Sequence, residues 1–119
     1  MQRLSREMCL NLKEKGFEQS IECGEWYYDT DLKSQDARLS SFEKPWSERC
    51  TVLCPSVERL IEAVWAKVSE LQMVSDPNGC WTVTGINKVK ELWYGTESTS
   101  LPAALAELWL KLKEAQNGQ

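Results

Sequence analysis

The sequence predicts an α+β fold: a small single sheet of about three to four mainly antiparallel strands, with three helices packed on it. Three observations predict it. Apolar stripes at helical spacing run over residues 57–71 and 101–112. Between them, Trp81 and Val83 alternate with Thr82 and Thr84, the period of a half-buried strand. The tetrapeptide Asp76-Pro77-Asn78-Gly79 precedes that run and reads as a hairpin turn. One sheet covered on one face by helices is the economical way to bury these stripes.

The first helix follows from Leu4, Met8 and Leu12, which recur every four residues with Cys9 beside them. Ser5 is its N-cap, Lys13 and Lys15 suit its last turn, and Gly16 is its stop. Phe17 then packs back on the last turn. Trp26, Tyr27 and Tyr28 are consecutive aromatics and predict a strand, with Trp26 and Tyr28 on one face and Tyr27 on the other. Asp31 to Arg49 reads as a long loop with a short strand around Ala37 to Phe42. Cys50 to Cys54 is a short β-prone run.

The second helix is capped by Ser56. Val57, Leu60, Ile61, Val64, Trp65, Val68 and Leu71 form its stripe, which places Trp65 in the core. Leu71 to Ser75 and Cys80 to Ile86 pair across the turn. Val89 to Tyr94 is a further strand, with Gly85 to Lys88 as its turn and Gly95 to Thr99 as a loop. The last helix starts near Ser100, tolerates Pro102 in its first turn, and buries Leu101, Leu105, Leu108, Trp109 and Leu112. Glu107 and Lys111 stand four apart in the favourable order.

Composition narrows the function. The 119 residues make one domain, 1–119, able to bury a core without metal or disulfide. Six tryptophans concentrate packing or binding energy, and no histidine is present. The absence of histidine removes the commonest general base and metal ligand. A net charge of −4, from 14 basic and 18 acidic residues, argues against a phosphate-binding face. Lys88 and Lys90, near Trp81, Trp93 and Tyr94, are the one spot where basic and aromatic residues interleave, so nucleic acid is not an expected partner.

The five cysteines are odd in number. Met1 to Lys15 is too charged for a signal peptide, and no apolar run approaches the ~18 residues of a membrane span. The expectation is a cytoplasmic protein with free thiols and no membrane contact.

Three segments carry a resemblance: Met8 to Gln19 (MCLNLKEKGFEQ), Cys54 to Ala63 (CPSVERLIEA) and Pro102 to Leu112 (PAALAELWLKL). In order and spacing they resemble small uncharacterised proteins encoded in bacterial phages and prophages. The chain departs at Arg59, where an acidic residue is expected after the cap. The resemblance implies an accessory phage-type origin and carries over no catalytic residue.

Each candidate chemistry meets a plainer reading. Cys50 and Cys54 lie about 13 Å apart along a strand, too far to share one ion. Cys9, Cys54 and Cys80 therefore read as small buried apolar residues. Asp29 and Asp31 form an acidic cluster that a divalent cation could use, although acids at a strand end are ordinarily solvated turn formers. No glycine-rich phosphate loop is present. Trp109, like Trp65, lies on a helix stripe, whereas Trp26, Trp46, Trp81 and Trp93 lie on strands or loops.

The expected function is a non-catalytic protein-interaction module with no metal, no cofactor and no catalytic residue. Its interface is Trp46, Tyr27, Trp93 and Tyr94, and its partner is a host protein or a second copy in a homodimer. The alternatives are a small-molecule or nucleotide-like ligand binder, or a histidine-free carboxylate–metal hydrolase using Asp29 and Asp31.

Overall fold

The structure, a computed structural model, describes residues 3–21, 24–30, 37–40 and 51–117. They fall into two compact units, Arg3–Ser56 and Val57–Gln119.

In the first unit, helix α1 (Arg6–Glu14) begins where expected: Ser5 Oγ accepts the Met8 amide at 3.2 Å. It ends at Gly16, whose φ of 95° is a left-handed conformation that costs glycine nothing. The Gly16 amide donates to Lys13 O and the Phe17 amide to Leu12 O, at 3.1 and 2.9 Å. This is the paired-bond helix stop, and it buries Phe17.

Strands β1 (Trp26–Asp29), β2 (Arg38–Leu39) and β3 (Thr51–Cys54) form an antiparallel sheet in the order β2-β1-β3. Tyr28 pairs with Val52, and Trp26 with Cys54, so these four share one face. Helix α1 packs on β3, and the Tyr28 hydroxyl donates to Leu4 O at 2.6 Å. Tyr27 takes the opposite face, as its alternation predicts.

In the second unit, helix α2 (Val57–Trp65) is followed by β4 (Val68–Ser75), β5 (Trp81–Asn87), β6 (Trp93–Ser98) and helix α3 (Leu101–Asn117). The strands form a second antiparallel sheet, β4-β5-β6. The hairpin turn is as predicted: Gly79 has φ of 87°, and Asp76 Oδ1 accepts the Asn78 and Cys80 amides, both at 2.9 Å. Helix α3 packs on β5, β6 and α2, burying Leu105, Leu108, Trp109 and Leu112. The Thr96 hydroxyl donates to Ala104 O at 2.7 Å, fixing β6 to α3.

Several expectations are corrected. Three helices and an α+β character are present, but the described strands form two separate three-stranded sheets, not one. The second helix stops at Trp65 rather than running to Leu71, because Val68 and Leu71 belong to β4. Both positions satisfy a helical spacing, yet Val68 is β-branched and the ladder to β5 wins. Trp65 is thereby left at the helix end, 48% exposed, and is not core.

Strand β5 continues through Gly85 to Asn87, and Gly95 to Ser98 belongs to β6 rather than to a loop. Gly85 is a place of close approach, not a turn. A Cβ there would lie 2.8 Å from Val68 Cγ1. The turn is built instead by Asn87, whose Oδ1 accepts the Val89 and Lys90 amides at 2.8 and 3.1 Å. Cys80 is half-exposed, not buried.

Candidate functional site

Pairing fixes which side chains share a face of the second sheet. Val83, Gly85 and Asn87 are buried on the side where Thr96 meets α3. The other face is open. Across it run Val74, Thr82 and Glu97, then Gln72, Thr84 and Gly95, then Glu70, Ile86 and Trp93. Its central positions are half-buried and its flanking ones exposed. Two glutamates and no basic residue lie among these nine, Glu97 in one end row and Glu70 in the other, where Ile86 and Trp93 form an apolar pair beside it.

The Ile86–Trp93 pair is the candidate site. Trp93 is 54% exposed and stands directly across from Ile86. Next to it in the chain, Leu92 and Val89 are 57% and 73% exposed. The Asn87 turn explains their position. Asn87 N–H donates to Leu92 O at 2.9 Å, Glu91 N–H to Asn87 O at 2.8 Å, and Glu91 adopts a left-handed φ of 54°. Glu91 is a non-glycine residue in that region, a conformation its neighbours must hold in place. The turn closes on its own hydrogen bonds and leaves its apolar side chains outside. Exposed large apolar side chains, a tryptophan above all, are what a protein contact buries.

The predicted interface residues are not brought together as a group. Trp93 and Tyr94 are consecutive in β6 and so take opposite faces; Tyr94 pairs with Gly85 on the α3 side and is half-buried. Tyr27 is half-buried in β1 of the other unit, as is Asp29. Trp46 and Asp31 lie outside the described residues. Among the remaining tryptophans, Trp26 is half-buried with the Arg3 guanidinium 3.5 Å above its ring, and Trp81 is half-buried on the α3-facing side. The Lys67 ammonium lies 5.4 Å from the Trp109 ring, and burial, together with the charge of Lys113, pushes its pKa down. Among the described residues, no three carboxylate or thiol groups converge on one cation-sized position.

Sequence reasoning missed Ile86, Leu92 and Val89. Asn87 was the available signal: asparagine builds its own turn, and here it sets where β5 ends and which side chains follow outside the ladder. No family model, curated protein or solved structure matches the chain. No helix among the described residues is long and apolar enough to cross a membrane.

Proposed function

We propose that the chain is a non-catalytic protein-binding module, and that the end of its open sheet face that carries Ile86 and Trp93 is the binding surface. The observation that carries this reading is exposure over one short stretch of chain: Trp93, Leu92 and Val89 each expose more than half of their surface, and Trp93 stands across from Ile86. A tryptophan held on a rigid strand loses little freedom on binding and offers a large contact area. The resemblance to phage-encoded proteins supports an accessory role in which the partner is a host protein, with a second copy of the chain as the other partner class, and the odd number of cysteines supports a cytoplasmic setting.

The test compares the wild-type chain with Trp93→Ser. Both are immobilised and exposed to host lysate, and both are sized by light scattering. The reading expects a partner, or a dimer, that the wild type retains and Trp93→Ser loses while its circular dichroism is unchanged. Equal capture by both chains, with a strict monomer in each case, contradicts it.

A further inference from the structure

Two cysteines of the first unit meet inside it. Cys9 lies on the buried side of α1 and Cys54 ends β3, on the face that α1 covers. Cys9 is 0% and Cys54 4% exposed. Each thiol perturbs the ionisation of the other. The Cys54 thiol also lies 3.8 Å from Leu4 O, at the entry to α1. Neither is bridged. Two buried thiols on elements that already pack together are placed for a disulfide, whose S–S length is about 2.0 Å.

The pair is chemically unequal. The hydrogen bond from Cys9 holds the Cys54 thiol below its ordinary value against the opposing effect of burial, and the charge of Arg3 adds to the lowering. Cys9 is pushed up by the same bond, by burial and by the charge that develops at Cys54. One sulfur is thus suited to attack and the other to hold the proton until the second step.

We propose that Cys9 and Cys54 are a redox-active pair that closes to an intrachain disulfide with a small disulfide oxidant such as oxidised glutathione, clamping α1 onto β3. In the first step, Cys54 thiolate attacks one sulfur of the oxidant, breaking its S–S bond and releasing one glutathione thiolate. In the second, Cys9 gives up its proton and its sulfur attacks Cys54 Sγ, breaking the mixed disulfide and releasing the second glutathione. Two protein thiols are oxidised, one small disulfide is reduced to two thiols, and the two protons pass to the leaving thiolates. Access to the buried pair comes from local opening of α1, so closure is slower than modification of the half-exposed Cys80.

The experiment incubates the reduced full chain with oxidised glutathione, blocks remaining thiols, and digests with trypsin under non-reducing conditions. The expected product links the peptide Glu7–Lys13 to Cys50–Arg59. Cys50→Ser should retain that link, and both Cys54→Ser and Cys9→Ser should abolish it. The bridged chain should melt roughly 5 °C or more above the reduced one and return on adding dithiothreitol. The proposal is overturned if Cys80 is glutathionylated while the link never forms. It is overturned equally if the link persists in Cys54→Ser, or if it brings no rise in melting temperature.

Discussion

In the unit Arg3–Ser56, long side chains and buried thiols reach backbone groups far away in sequence. Tyr28 and Cys54 bond to Leu4 O, Lys13 Nζ donates to Thr51 O at 2.9 Å, and the Leu53 amide donates to Gln19 Oε1 at 2.9 Å. The strands they join are short, of four, two and four residues. In the unit Val57–Gln119, strands of eight, seven and six residues pair in long ladders beneath a 17-residue helix. There the burial is mainly aliphatic, and Leu105, Leu108 and Leu112 are fully enclosed. The first unit therefore adds long-range polar contacts to a small apolar core of Leu4, Leu12, Val52 and Leu53, whereas the second rests on a larger packed apolar volume. The difference also separates roles. The packed unit can carry an exposed apolar cluster at a strand end, because its core does not depend on that cluster. The polar-stitched unit instead encloses a reactive thiol pair.

The largest expected effect comes from emptying the packed core. Leu108→Ala should cost about 3–4 kcal/mol in urea unfolding, the sum of lost burial and residual cavity. Gly85→Ala places a Cβ 2.8 Å from Val68 Cγ1 and should cost about 1–3 kcal/mol, since β4 must move to admit it. In the other unit, Tyr28→Phe leaves the buried Leu4 carbonyl without its hydroxyl and should cost about 1–2 kcal/mol. A loss from Tyr28→Phe equal to that from Leu108→Ala would break the comparison. The smallest effect is expected at the exposed aromatics: Trp65→Ser and Trp93→Ser should each stay within about 0.5 kcal/mol of wild type in the same unfolding assay.

What the sequence made legible was local chemistry. Ser5 and Gly16 bound α1, Asp76 to Gly79 close the hairpin, and the Leu105, Leu108, Trp109 and Leu112 stripe lies buried on α3. Each of these is decided within a few residues. What it did not make legible was decided by distant partners. Val68 and Leu71 extend the α2 stripe as readily as they enter a strand, and only pairing with Asn87 and Gly85 settles the matter. The separation into two sheets has the same origin, because no periodicity records which strand a strand will choose. For the site, exposed Trp93 was legible as an aromatic at a strand end. The opposite facing of Tyr94 was equally readable from strand alternation, whereas the Ile86 contact required the β5–β6 register.

Trp93, unlike the comparably exposed Trp65, is the proposed contact for a partner. Replacing each in turn with the photo-crosslinking residue benzoylphenylalanine, and irradiating the protein in its host cell, tests it directly. Position 93 should give a discrete protein adduct, or a crosslinked dimer, and position 65 none. Adducts of equal yield from both positions, or none from position 93, would contradict it.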